Sequence, residues 1–302
     1  MVYLDQLGTR LTDPELVARC AELVIPPAWA DVWICPHPNG HIQAMGTDDA
    51  GRRQYLYHPQ WRQRRDRVKH DHVLQVARRL PRARTTVVEH LDRAGMPREK
   101  VLALSFRLLD DAYFRAGGES YARENGSYGL ATILRDHVEV DRDGVAFCYP
   151  AKSGQVRESR VDDPVVRTLV RRLRDRDDDN PELLAWQEED GSWRDVVTSD
   201  VVGYVKERLG PEARPKDFRT WHATVLAAAA LAATERPSSE RGRRRAVSGV
   251  VKEVAEELGN TPAVCRASYI DPRLFDLGDR GQTIGRRRTR AAAERAVLEL
   301  LS

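Results

Sequence analysis

Several features that would assign a class at once are missing from this sequence. Its four cysteines, Cys20, Cys35, Cys148 and Cys265, lie far apart with no Cys-x-x-Cys pair. That argues against a zinc ribbon or a disulfide framework and fits a reducing interior. No apolar run reaches the roughly 18 residues needed to cross a bilayer, and the Ala-rich stretch from Val225 to Ala233 reads as a buried helix. No apolar h-region opens the chain, so the expected location is cytoplasmic, with no membrane partner. Charge of one sign is scarce as well. Net charge is +3 over 302 residues, so composition alone does not announce a polyanion binder. No acidic cluster resembles a two-metal site, and the glycines of a phosphate-binding loop are absent around Ala151-Lys152-Ser153. Neither a metal nor another cofactor is expected.

The distribution of charge says more than its sum. From Gly51 to Arg84 there are eleven Arg or Lys residues against Asp66 and Asp71, an excess of nine. Such a block is an electrostatic footprint for phosphate, and charge alone leaves a solvated helix face equally open.

The length favours two domains. Residues 1–84 read as β-rich. Val32 to Cys35 is a short apolar strand, Pro36 to Gly40 a turn, His41 to Met45 its hairpin partner, and Arg52 to His58 a third strand. Tyr55 and Tyr57 then share one face, either as a gripping surface flanked by arginines or as sandwich core. Trp61 to Leu80 reads as a strongly basic helix. From Thr85 the spacing turns helical, with one helix ended by Gly95 and a second begun at Pro97. A β interruption covers His137–Val140, Val145–Tyr149 and Gln155–Val161. The acidic run Asp175 to Asp179 reads as a solvated loop. Helices are expected over Ser199–Leu209, Phe218–Ala233 and Arg245–Leu258, with an amphipathic basic helix from Arg286 to Leu301. The fold class is therefore α+β: a small N-terminal β-sheet domain (1–84) and a larger, mainly helical domain (85–302) with a three-stranded β element.

Four segments pair a phosphate-binding or proton-transfer group with a local structural signal. They are Tyr113 to Tyr121 around Arg115, Ala151 to Gly154 around Lys152, Lys216-Asp217-Phe218-Arg219-Thr220-Trp221, and Gly259-Asn260-Thr261-Pro262 running on to Tyr269. Singly each has a bland reading: a helix C-cap, a decorated turn, a salt bridge, a buried tyrosine. Together, in this order, they resemble the type IB DNA topoisomerases, most of all the small poxvirus-type and bacterial forms. Ile25 to Pro36, Gly51 to Pro59 and Tyr121 to Leu130 also look like that family, so the likeness runs from Leu23 to Pro272.

The resemblance implies an enzyme that relaxes supercoiled DNA by cutting one strand through a 3′-phosphotyrosyl intermediate, letting it rotate and resealing it, without ATP or metal. It makes Tyr269 the nucleophile. Arg115 and Arg219 would stabilise the charge that grows on the non-bridging oxygens, a task suited to the planar guanidinium fork. Lys152 would be the general acid for the departing 5′-oxygen. Asn260 stands where the poxvirus and eukaryotic pattern has His; its amide still donates, but carries no charge and relays no proton. His222, three residues after Arg219, reads either as compensation for that loss or as a satisfied helix histidine. The family closes two domains as a clamp around duplex DNA, which would bring Gln54, Tyr55, Tyr57 and Tyr121 to the DNA. A monomer associated with the nucleoid is expected.

Two rivals remain in view. A tyrosine recombinase shares the Arg-Lys-Arg-Tyr chemistry but usually shows His-x-x-Arg at the second arginine, where this chain has Lys216-Asp217-Phe218-Arg219. A non-catalytic DNA-architectural protein of the same fold would have no need of Tyr269, Lys152 and both arginines together.

Overall fold

The computed structural model describes residues 2–5 and 7–302, the Ser153 side chain excepted. The chain divides into two compact units, Met1–Asp71 and His72–Ser302. The dividing point falls inside one long helix, as does residue 84.

In the first unit, Asp13 caps α1 (Pro14–Glu22): its carboxylate accepts from the Glu15 and Leu16 amides, and Pro14 fills the first turn. Strands β1 (Ala30–Ile34), β2 (Ile42–Thr47) and β3 (Arg53–Tyr57) form an antiparallel meander in the order β1-β2-β3. Arg19 of α1 donates to the Cys35 carbonyl at 2.7 Å and to Gln43 Oε1 at 3.0 Å, and so fastens the helix to the first hairpin.

The helix α2 (Pro59–Leu91) runs unbroken for 33 residues. It corrects the expectation that separate helices lie on either side of Pro81. An interior proline costs roughly 3 kcal/mol. Here packing overrides that penalty. Val73, Val76, Ala77, Leu80, Ala83, Val87 and Leu91 are all buried at helical spacing on both sides of the proline, while Pro81 itself faces outward.

The second unit is built around α7 (Pro215–Ala233). Phe218, Trp221, Ala223, Ala227 and Ala228 of that helix are buried, and it packs against α3 (Arg98–Asp111), α6 (Thr198–Leu209), α8 (Glu240–Leu258), α10 (Arg273–Asp279) and α11 (Arg290–Leu301). One flank carries the short helix α4 (Glu119–Asn125) and the antiparallel sheet β4 (Val138–Val140), β5 (Val145–Pro150), β6 (Val156–Val161). Among the elements not anticipated from the sequence are α5 (Pro164–Arg174), capped by Asp163, and the hairpin β7 (Ala185–Gln187) to β8 (Trp193–Asp195). The acidic run is not uniformly solvated, because Asp178 pairs with Arg135 and with the buried Arg176. The last helix begins at Arg290 rather than Arg286, capped by Thr289, and holds two arginines against two glutamates, so the basic run precedes it. Among the described residues no helix is long and apolar enough to cross a membrane.

Where α2, α3, α7 and α11 converge, the core holds charge. Asp110 accepts from Arg84 at 2.7 Å, faces His222 Nε2 at 2.8 Å and accepts from Arg290 at 2.8 Å. Arg84 also donates to Glu294. Burial works against the Asp110 charge, yet the bonds from His222 and Arg84 hold its carboxyl well below the usual carboxylate range. Burial lowers His222 below the usual histidine value, against the pull of Asp110. Both groups therefore bind protons more readily in the unfolded chain, so stability falls as pH falls. The loss starts below the unfolded histidine value of about 6.5 and steepens through the carboxylate range near 4. Urea midpoints between pH 7 and 4 measure it. A midpoint that stays constant to pH 4 would contradict the assignment.

Candidate active site

A cleft of about 750 Å³ opens in the second unit. Six of its lining residues are cations, Arg115, Lys152, Lys206, Arg214, Lys216 and Arg219, and among the described residues none that line it is a carboxylate. Asn260 and Tyr269 complete the walls. The five sequence-predicted catalytic residues are thus brought together from four separate stretches of chain.

The end of α8 explains how two arginines can stand side by side. A helix C-terminus presents unpaired carbonyls and the negative end of the helix dipole. Here three successive carbonyls each receive a guanidinium. Glu257 O accepts from Arg157 at 2.8 Å, Leu258 O from Arg219 at 2.7 Å, and Gly259 O from Arg115 at 3.4 Å. Gly259 ends the helix in the left-handed conformation (φ +61°), and the Asn260 amide closes back on the Ala255 carbonyl at 2.8 Å. Arg115 donates to Asn260 Oδ1 at 2.7 Å. That bond fixes which way the amide points and leaves Asn260 Nδ2 as the free donor. Nδ2 and Arg219 Nε are both buried without a partner. Unpaired buried donors of this kind cost about 1–3 kcal/mol each, which an anion in the cleft would relieve.

Arg219 reaches the cleft from just beyond the first turn of α7. Asp217 caps that turn by accepting from the Arg214 amide at 2.8 Å, and His72 Nε2 lies 3.1 Å from the same carboxylate oxygen. Burial, helped by the charge of Arg115 and opposed by Tyr269, lowers the Arg219 guanidinium to about 10. It stays charged at neutral pH. Its other support is the carbonyl of Tyr113, to which it donates. Tyr113 adopts φ +57°, an unfavourable conformation for a residue with a Cβ, and thereby turns the chain from α3 toward Arg115.

Arg115 is held by a close backbone crossing. The Arg115 carbonyl accepts from Leu130 N at 2.8 Å and the Ala116 carbonyl from Ala131 N at 2.9 Å. A Cβ on Gly129 would fall 2.4 Å from Gly117 Cα and 2.9 Å from the Arg115 carbonyl oxygen. Backbone atoms cannot give way there as a flexible side chain would. Gly129→Ala should therefore destabilise the chain by about 2 kcal/mol, lower the thermal midpoint and depress cleavage beyond the fraction unfolded. An unchanged midpoint would show that the crossing is not tight.

Lys152 is exposed at the tip of the β5–β6 hairpin, in a single turn (Lys152–Gly154) closed by Ala151 N to Gln155 O at 2.8 Å, with Gly154 at φ +69°. Tyr269 is half-buried. Thr261 caps α9 (Pro262–Ser268), Pro262 fills its first turn, and Tyr269 follows as the C-cap with its amide on the Cys265 carbonyl at 3.0 Å. The Arg219 guanidinium carbon lies 5.3 Å from the Tyr269 ring centroid. Just after it, Asp271 N donates to Thr224 Oγ1 at 3.1 Å, mooring the end of α9 to α7.

His222 is not among the residues lining the cleft and is fully engaged with Asp110, as a satisfied helix histidine. Lys206 and Arg214 do line the cleft and were missed, since isolated cations give no pattern. Tyr121 on α4 is 64% exposed and lies outside the cleft lining. In the first unit, Tyr55 and Tyr57 are stacked with centroids 6.1 Å apart, Tyr57 stacks on Trp61 at 4.5 Å, and Arg65 lies over Trp61 at 5.1 Å. Gln54 alternates to the other face of β3, its amide donating to Asp48 at 2.8 Å. Among the described residues no group of three or more His, Cys, Asp or Glu side chains is gathered to hold a metal ion.

A tyrosine, two arginines, a lysine and an amide around one carboxylate-free cleft define a class that handles a phosphodiester by direct transfer to a protein side chain. The comparisons with known proteins agree. Residues 1–48 match the family model described as bacterial DNA topoisomerase IB, N-terminal domain, and residues 58–292 match eukaryotic DNA topoisomerase I, catalytic core. The DNA topoisomerase 1B of Acanthamoeba polyphaga mimivirus is 29% identical over 266 residues, covering 86% of this chain and 79% of the viral protein. The DNA topoisomerase 1B of vaccinia virus (strain Copenhagen) is 23% identical over 235 residues, covering 77% and 71%. The chain belongs to the type IB DNA topoisomerase family. It is an isomerase whose substrate is DNA.

Proposed function

We propose that the cleft cuts and reseals one strand of duplex DNA, with Tyr269 as nucleophile. The Tyr269 oxygen attacks the phosphorus as it gives up its proton to solvent, the bond from phosphorus to the 5′-oxygen breaks, and a 3′-phosphotyrosyl ester forms. Arg115 and Arg219 bind the non-bridging oxygens, and each such preorganised donor is worth roughly 3 kcal/mol, or a factor of 10² to 10³. Asn260 adds a neutral donor through Nδ2. Lys152 protonates the departing 5′-oxygen. The ester keeps the energy of the broken bond, so attack by the 5′-hydroxyl reverses the step with no nucleotide consumed, and torsion in the DNA drives rotation between the two steps.

The single observation that carries this reading is the meeting of Arg115, Lys152, Arg219, Asn260 and Tyr269 in one cleft without a carboxylate. The other contacts follow from the same reading. Gln54, Tyr55, Tyr57 and Tyr121 touch DNA, most affinity comes from phosphates and falls steeply with salt, and a monomer acts at the nucleoid in the cytoplasm. The test is supercoiled plasmid in chelator without ATP. Relaxation of both supercoil signs is expected. Activity confined to paired recombination sites would make the chain a recombinase. Binding without nicking would make it an architectural protein.

A further inference from the structure

The buried charge cluster outside the cleft shares two elements with the arginine pair. Asp110 lies in the last turn of α3, five residues before Arg115, and His222 lies on α7 three residues beyond Arg219. Each is 2% exposed, and they meet at 2.8 Å. Between Asp110 and Arg115 the chain turns at Tyr113, whose carbonyl accepts from Arg219 and whose ring centroid lies 5.3 Å from that of His222. The Asp110–His222 bond and the Arg219–Tyr113 bond therefore pin two points of one short turn to the same helix, and Arg115 emerges from that turn two residues later. Arg290 of α11 closes the cluster. Its Nη2 lies 2.8 Å from Asp110 Oδ1 and 3.0 Å from His222 Nε2, and its Nη1 donates to Asp111 at 2.7 Å.

We propose that Asp110, His222 and Arg290 are positioning residues for strand cleavage: they fix the turn that carries Arg115 against the helix that carries Arg219. The claim rests on the reading of those two arginines as phosphate ligands. In the neutral ring, Nε2–H donates to Asp110. The Arg290 cation keeps a second proton off the ring. Without that cation Nδ1 can take a proton in mild acid, and since the described neighbour of Nδ1 is the Arg290 guanidinium and not an acceptor, the new buried donor is left unsatisfied and the turn shifts. The groups that face His222 are Asp110 and Tyr113 from α3 and its turn, and Arg290 and Glu294 from α11, with Arg84 of α2 acting through Asp110. The carboxylates favour the extra proton. Burial and the Arg290 cation oppose it.

The experiment is single-turnover covalent capture of a duplex by the full chain between about pH 5 and pH 9, with duplex affinity and thermal midpoint measured alongside. Arg290→Gln is expected to gain an acidic limb, capturing DNA about tenfold more slowly below pH 6 than at pH 8, with duplex affinity within about twofold of the parent. Arg290→Lys keeps the parental profile, and adding His222→Asn to Arg290→Gln removes the limb. A folding defect alone would lower the thermal midpoint without creating a histidine limb. The proposal is overturned if Arg290→Gln shows the parental profile, or if the limb survives without His222. Should Arg290→Gln not fold, His222→Asn and His222→Leu decide. The first keeps a donor to Asp110 and captures within about threefold of the parent, whereas the second falls about tenfold at unchanged affinity; equal rates for the two overturn the proposal. Arg219→Lys in the parent separates the levels, because parental capture by that variant would refute the arginine reading itself.

Discussion

Tyr269→Phe is expected to bind duplex DNA within about twofold of the parent while forming no covalent adduct and relaxing no plasmid. The substitution removes one oxygen and keeps the ring that lies 5.3 Å from the Arg219 guanidinium carbon, so the fold and the phosphate ligands are retained. Among the described residues that line the cleft, Thr261 is the only other one with a hydroxyl. Ser268 is exposed and does not line the cleft, and Thr261 lines it but is committed as the cap of α9, accepting from the Val264 amide at 3.3 Å. An aliphatic hydroxyl is also a far weaker acid than a phenol, whose pKa is near 10. The check is DNA retained by the protein after denaturation. A residual adduct in the Phe variant would move the nucleophile elsewhere.

The second large effect belongs to Lys152. Positioned general acids contribute roughly 10² to 10⁴-fold, so Lys152→Ala is expected to slow single-turnover cleavage by that range while duplex affinity changes little. Lys152 is exposed on a hairpin tip held by the Gly154 turn, and truncating it leaves no buried partner behind. A duplex whose scissile 5′-oxygen is replaced by sulfur distinguishes acid catalysis from charge stabilisation. A thiolate departs without a proton, so the variant should cleave that substrate at close to the parental rate. A deficit equal on both substrates would mean that Lys152 serves the phosphate charge and not the leaving group.

The residues that carry these predictions were legible because spacing preserves them. Lys-Asp-x-Arg puts a capping carboxylate two residues before a guanidinium near the start of a helix, and Gly-Asn-Thr-Pro ends one helix and starts the next. Side-chain chemistry and turn chemistry coincide in those segments. What holds the arginines was not legible. Apart from Asn260 Oδ1, the partners of Arg115 and Arg219 are the carbonyls of Leu258, Gly259 and Tyr113, and a backbone acceptor leaves no mark on residue identity. Helix α2 misled for a different reason. Pro81 is a strong local stop signal, yet a buried stripe from Val73 to Leu91 outweighs it, and that stripe acquires meaning only once α3 and α7 are packed. Arg290 reads from the sequence as part of a basic tail, yet it is half-buried and paired with Asp110, Asp111 and Glu294. Charge signs along the chain do not say which cations are already paired.

The central claim is that the strand is transferred to Tyr269, and the position of the covalent link tests it most directly. Capturing the complex on duplex DNA, trimming the DNA with nuclease and digesting with trypsin should leave a 3′-linked nucleotide on the peptide Ala267 to Arg273, in which Tyr269 is the sole tyrosine. Nucleotide attached there through the 3′-phosphate is the predicted result. Attachment to any other peptide, or through a 5′-phosphate, would contradict the account.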